Sequence, residues 1–302
     1  EATLTWATGI VLLGVLYFLK GASLLVDPSV MALSQGQAVG LALGLIAGSW
    51  LVYDLLWNPR VPKPVSTVVS VIFFGVLIWG LAQMFSGRGA FIMTGAIFGS
   101  LMLANVWMRI LPGQGKMLRE AQEGRVPDYS VGLKSKTRSV HNTYFTFPVL
   151  FIMLSNHYPQ IYNHRWNWLL LIVLGVSGAL TRHAMVTKRP VERWTLFPAA
   201  MGLAALVMAT GQGAVGAAGE RPSWAEVAPV MERRCASCHS ATPTDDVWKA
   251  APLGAIFDSE ASLRAKSEKV LLQVVTARTM PLGNKTAMTD EERDLVRRFL
   301  AD

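Results

Sequence analysis

The sequence predicts an all-α fold in two parts, a polytopic bundle of transmembrane helices followed by a small soluble helical domain. Three observations carry that prediction. The 302 residues are 52% hydrophobic and only 16% charged, with a mean hydropathy of +0.35, too apolar for an ordinary soluble domain. Seven apolar stretches are each long enough to be read as crossing a hydrocarbon core of roughly 30 Å as a helix. Beyond about Gly211 the composition turns first to Gly and Ala and then to charged, amphipathic sequence around Cys235-Ala236-Ser237-Cys238-His239.

The seven stretches run, in order, over Thr5 to Leu25, Gln37 to Trp57, Val65 to Phe85, Ala90 to Leu111, Val140 to Ser155, Trp166 to Met185 and Thr195 to Ala214. The fifth is the shortest. A net charge of +8 could suit nucleic acid, but the basic residues sit between the apolar stretches, which is the positive-inside pattern of a membrane protein and argues against a nucleic-acid partner. With the C-terminal part outside, inner segments hold Arg60, Lys63, Arg109, Lys116, Arg119, Arg125, Lys134, Lys136, Arg138, Arg182, Lys188, Arg189 and Arg193, thirteen in all, against Lys20, Arg88 and Arg165 on outer flanks. Tyr53, Trp57, Trp107, Trp166, Trp168 and Trp194 stand at span ends, where interfacial anchoring and packing within the bundle are equally good explanations. Position 1 is Glu and lies close to a hydrophobic span, so a preceding natural segment is expected.

The division expected is a transmembrane domain over 1–215, a hinge over 216–222 and a soluble domain over 223–302. Ser223 with Glu226 forms a capping box that starts a helix leading to the cysteines, and Thr289 with Glu292 starts the last helix, whose Leu295, Val296, Phe299 and Leu300 make one apolar face. A middle helix is predicted over Ser262 to Thr276. About eighty residues make a small core, so a bound prosthetic group would have to supply much of its apolar surface.

The motif names that group. In C-x-x-C-H the two thiols can add to the two vinyl groups of one haem, and the adjacent histidine reaches the iron. A bare C-x-x-C would point to zinc or a redox dithiol, and these stay open as alternatives. Both cysteines of the chain belong to this motif, so no disulfide scaffold exists. Covalent haem attachment is completed outside the bacterial plasma membrane, which places the domain on the outer, periplasmic side of the inner membrane. The expected ligand set is Cys235, Cys238 and His239, with Met280 completing the iron coordination from the loop before the last helix, as in a class I-like cytochrome c. Met288 competes, but its place at a helix entry suits packing. The Pro252 carbonyl is a candidate to orient His239.

Histidine is costly in hydrocarbon and therefore draws a functional reading. His141 and His183 fall at the inner ends of the fifth and sixth spans, while His157 and His164 flank the outer loop between them. His141 stands out, because Asn142, Thr143 and Tyr144 follow it directly. Spacing puts His141 and Tyr144 on one helix face and turns Asn142 elsewhere. Asp54 and Asn105 are deep enough to need partners, Asp54 from Arg60 or Arg109.

The stretch from Val140-His141-Asn142-Thr143-Tyr144 through Asn156-His157-Tyr158-Pro159 closely resembles the membrane domain of the bacterial integral-membrane urate oxidases fused to cytochrome c. Trp50-Leu51-Val52-Tyr53-Asp54-Leu55-Leu56 does so too, and Met280-Pro281-Leu282-Gly283-Asn284-Lys285-Thr286 is similar to that family's haem domain. The resemblance implies oxidation of urate to 5-hydroxyisourate with water as oxygen source and no hydrogen peroxide. Two electrons would leave through haem c to a terminal oxidase or soluble cytochrome. It also implies an eighth span in the natural protein, from the N-terminal segment.

Urate is a planar anion at neutral pH, so its site needs a cationic or amide cradle and a base. The candidates are His141 as base, Tyr144, Asn142 and Thr143 as hydrogen-bonding neighbours, and Arg138 or Arg182 as a clamp. An inner site lies too far from an outer haem for one electron hop, which favours either a haem b between histidines such as His141 and His183, or a site opening outward near His157 and His164. Two other functions compete, a tethered cytochrome c electron carrier with no substrate site and a quinol-oxidising membrane cytochrome.

Overall fold

The computed structural model describes residues 1–19, 24–211 and 221–301, and all regular elements among them are helices. Helix α1 (Ala2–Leu13) runs on through a π-helical turn to Phe18. Helix α2 (Gln35–Leu56) begins at a capping box between Ser34 and Gln37. After α3 (Lys63–Met84), the Ser86 hydroxyl caps α4 (Gly87–Asn105) by accepting the Gly89 N–H at 2.9 Å. Helix α4 continues through a π turn (Val106–Ile110) into α5 (Leu111–Gln122), a rod that reaches past the apolar stretch read from the sequence. Residues Gly87 and Gly89 are required there, since a Cβ on the first would fall on the Tyr162 carbonyl and on the second on that of Leu25.

Helix α6 spans Tyr129–Ser155, much longer than the fifth stretch. Asp128 starts it by accepting the Ser130 N–H at 3.0 Å, and its first turns carry Lys134, Lys136 and Arg138. Short α7 (Pro159–Tyr162), then α8 (Asn167–Val186), a 3₁₀ turn (Pro190–Thr195) and α9 (Leu196–Gly211) complete the first part. Helix α6 packs between α4 and α8, with α9 on α8 and with α2 and α3 on α4.

Among the described residues five helical segments are long and apolar enough to cross a membrane: Gln35–Leu56, Lys63–Met84, Gly87–Gln122, Asn167–Val186 and Pro190–Thr210. The expected count of seven is not reached by that measure. The first helical segment, Ala2–Phe18, is shorter, residues 20–23 of its predicted span lie outside the described residues, and α6 is apolar only in its second half. Apolar side chains nevertheless face outward, Val71 at 68% and Leu55 at 61% exposed. Trp107, Trp166 and Trp194 are exposed as interfacial anchors would be, whereas Tyr53 is buried and serves the interior.

Of the predicted hinge, residues 216–220 lie outside the described residues. Helices α10 (Trp224–Arg234), α11 (Glu260–Arg264), α12 (Ser267–Val270, continuing as a π turn to Thr276) and α13 (Asp290–Leu300) form the C-terminal part. Both predicted capping pairs are present: Glu226 accepts the Ser223 N–H at 2.8 Å, and Glu292 accepts that of Thr289 at 2.9 Å. The predicted middle helix is instead broken near Lys266, whose backbone leaves helical geometry while its ammonium donates to the Gly254 carbonyl at 3.0 Å. Val296, Phe299 and Leu300 of α13 pack on Val227, Val230 and Met231 of α10 and on Leu263, Val270 and Val274 to make a separate core. Asn163 donates to the Ala277 carbonyl and Asn284 to the Ser29 hydroxyl at 3.4 Å, so this part touches the connections that precede α2 and α8.

Candidate functional site

Three helices bring polar groups together at the His141 level. Tyr53 of α2 and His141 of α6 are joined hydroxyl to Nδ1 at 2.6 Å. Asn105, the last residue of α4 before the π turn, donates to the Tyr53 oxygen at 3.1 Å and to the Asn142 Oδ1 at 2.9 Å. Asn142 in turn donates to the Met102 carbonyl at 2.9 Å. Tyr53 and Asn105 are almost wholly buried, and the Asn105 Oδ1 has no partner among the described residues. An unpaired buried acceptor is costly and marks a place where a donor belongs. Because a phenol oxygen both donates and accepts, the Tyr53 bond holds with either imidazole tautomer, and the form with its proton on Nδ1 leaves Nε2 free as a base.

Below this network Trp57 packs edge-on against His141, ring centroids 4.0 Å apart. The Asp54 carboxylate takes Arg138 at 2.8 Å and also Arg109, so Arg109 of the two predicted partners is present and Arg60 is replaced by Arg138. The Arg138 guanidinium lies 4.6 Å from the Tyr53 ring centroid.

Tyr144 goes elsewhere. Its hydroxyl meets the His183 Nδ1 at 2.6 Å, and the His183 Nε2 lies 3.4 Å from Glu192. Although His141 and Tyr144 share the spacing of one helix face, α6 sits between neighbours, so the first turns to α2 and the second to α8. Pro148 lies inside α6 and lacks the N–H that would bond the Tyr144 carbonyl in a regular helix. Asn142, expected to look away, belongs to the His141 network through Asn105. Thr143 donates at 3.1 Å to the Ser139 carbonyl of its own helix and joins neither group. Arg182 stacks over Phe147, with its buried Nε unpartnered among the described residues. His141 and His183 thus belong to different tyrosines, and both nitrogens of His183 face partners, so the residues present do not fit a haem b held between them. His164 Nδ1 accepts the Trp166 N–H at 3.1 Å, while His157 lines a different, mostly apolar groove with Arg88 and Asn156; no contact joins His157 to His164. Tyr53, Trp57 and Glu192 were missed as site residues by sequence reasoning. Tyr53 could have been suspected from its place beside Asp54 in an apolar span.

In the C-terminal part, α10 ends at Cys235, and the His239 N–H closes the following turn on the Cys235 carbonyl at 2.8 Å. Both thiols are free, and Cys235 shares an apolar cluster with Met280. Burial pushes the Cys235 thiol up to about 12 and raises Cys238 as well. Among the described residues no three His, Cys, Asp or Glu side chains converge to hold a metal ion. The His239 Nδ1 lies 2.9 Å from the Ala255 carbonyl. A carbonyl only accepts, so the ring proton is on Nδ1 and the Nε2 lone pair is free for iron. Ala255 therefore holds the role expected of Pro252, whose carbonyl accepts the Ala255 N–H instead, because the turn Pro252–Gly254 directs it inward on itself. Met288 is buried in the core, as packing predicts, and Met280 lies in the preceding loop with its carbonyl held at 2.7 Å by Arg293. The donor set fits a covalent haem with His and Met ligands.

Apolar helices around a buried histidine network define an all-helical protein with a polar centre in its first part. The family described as Urate oxidase N-terminal matches residues 1–211, which contain all of that network, and the chain belongs to this family. Neither the curated proteins nor the solved structures compared with the chain include a match.

Proposed function

We propose that the protein oxidises urate to 5-hydroxyisourate in the bacterial inner membrane and passes the electrons outward through haem c to a terminal oxidase or soluble cytochrome. The carrying observation is that the urate oxidase family match covers the same residues in which Tyr53, Asn105, His141 and Asn142 converge. The outward-facing apolar side chains of α2 and α3 support the membrane setting. The size and polar lining of the bundle count against a mere tether for a cytochrome, for which one span would suffice.

The balanced change is urate plus water giving 5-hydroxyisourate, two protons and two electrons. His141 Nε2 takes a proton from the substrate or the attacking water, with Tyr53 holding the ring through Nδ1. Asn105 donates to the tyrosine and is itself held by Asn142, which leaves the Asn105 Oδ1 as an acceptor for an N–H of the purine. Trp57 closes one side of the imidazole and excludes water from it. Cys235 and Cys238 would hold haem through thioethers, with His239 and Met280 at the iron, and the group when bound supplies a one-electron acceptor of raised potential.

The test is to add urate to the purified, oxidised full chain and record the haem spectrum, with quinol as control. Reduction by urate and not by quinol is expected. Reduction by quinol alone would establish the competing cytochrome, and reduction by neither would leave a simple electron carrier.

A further inference from the structure

Beneath Trp57 the helices enclose a second feature, a cavity of about 630 Å³ between the ends of α2 and α3 and the α5–α6 hairpin. That volume lies in the range of small-molecule sites. Its lining carries Lys63, Arg109, Lys116, Lys134 and Arg138 against a single carboxylate, Asp54. Lys116 is engaged by Glu120 and Asp128 at the rim. Asp54 is shared between two guanidiniums and cannot neutralise both. Arg138 is 5% exposed, and its Nη1 has no partner among the described residues. A buried guanidinium nitrogen left unpaired in the wall of this cavity is a donor in want of an acceptor.

We infer that this cavity is the binding vestibule for the urate anion, with entry from the side of the α2–α3 and α5–α6 connections. The inference rests on the proposed urate-oxidising function and adds the residues and the side. Three features match that ligand. The surplus positive charge suits a monoanion, the unpaired Arg138 Nη1 suits a carbonyl or ring nitrogen, and the Trp57 indole gives a flat wall for a purine. Trp57 lines the cavity on one side and touches His141 on the other, so a purine held there is one side chain from the proposed base.

The experiment uses the full chain in detergent. Equilibrium dialysis of urate against dithionite-reduced protein reads binding without turnover, and steady-state oxidation with an added acceptor reads kcat and KM. Arg138→Gln, which leaves Asp54 to Arg109, should weaken urate binding and raise KM roughly 10- to 100-fold, the loss of one charge-assisted hydrogen bond. The rim variant Lys63→Gln/Lys134→Gln, whose side chains are exposed and cannot unfold the bundle, should weaken binding less and remove part of its salt dependence. Unchanged binding and KM in both variants, with wild-type oxidation intact, would overturn the vestibule alone. A wild-type protein that neither binds nor oxidises urate would instead overturn the functional reading. A parallel arm titrates phosphatidylglycerol micelles. Lipid binding that is lost in Arg138→Gln while urate binding stays normal would reassign the cavity to a lipid headgroup and overturn the inference.

Discussion

At the residue scale the informative pair is Tyr53 and His141. The half-buried His141 of α6 is satisfied by one short bond to a tyrosine, itself held by an asparagine from a third helix. That arrangement fixes the ring while leaving one nitrogen for chemistry, which a packing role alone would not need. His141→Gln should slow urate turnover roughly 10²- to 10⁴-fold with haem content unchanged. A variant with normal turnover and normal haem would reduce His141 to a structural residue. In the C-terminal part the two methionines differ in place, Met288 buried in the core and Met280 in the preceding loop. Met280→Ala should remove the sulfur-to-iron charge-transfer band and lower the haem potential, while Met288→Ala should instead loosen the core. The reverse pattern in the spectra would exchange their roles.

At the element scale, the loop after the cysteines is pinned to the loop that carries Met280. The Lys285 ammonium binds Asp245 at 2.7 Å and Asp246 at 2.6 Å. Burial alone would raise the Asp245 carboxyl, but hydrogen bonds from Lys285 and the Val247 and Trp248 N–H groups outweigh it and hold the group well below the usual carboxylate range. A depressed folded value means that the stabilisation is complete above the unfolded value, about 3.9, and is lost as pH falls through the lower folded one. Acid unfolding of the domain, followed at the haem Soret band in the intact chain, should therefore steepen below about pH 4. Asp245→Asn should lower stability at neutral pH and flatten that acid limb. An unchanged limb would show that the clasp contributes nothing.

At the scale of the whole molecule, the C-terminal part touches Ser29 and Asn163, while the basic cavity, Arg138 and Glu192 lie at the opposite ends of the helices. The thirteen-to-three distribution of basic residues carries the expectation that the α5–α6 hairpin is inside. Ser130→Cys in that hairpin should resist an impermeant thiol reagent in intact cells and react after lysis. Labelling of intact cells would invert the arrangement. The same polarity sets a transport problem. From His141 to Ser155 at the far end of α6 is about 21 Å of helix rise, and the rings of Tyr53, Phe145 and Phe98 fill the first part of that span.

The all-helical architecture and the helix starts of the C-terminal part were legible in the order of residues, because each depends on neighbours within a few positions: apolar run length or a capping pair. Ser223 with Glu226 and Thr289 with Glu292 are local in that sense. The pairings of His141 with Tyr53 and of Tyr144 with His183 were not, since each joins residues on different helices and depends on which neighbour a face meets. Helical spacing places His141 and Tyr144 together, but packing α6 between α4 and α8 sent them to separate partners. Arg138 for Asp54 and Ala255 for His239 follow the same rule. Local sequence chose the chemical groups and the elements bearing them, and only tertiary packing decided which groups face one another, because a side chain's partner is set by distance in space.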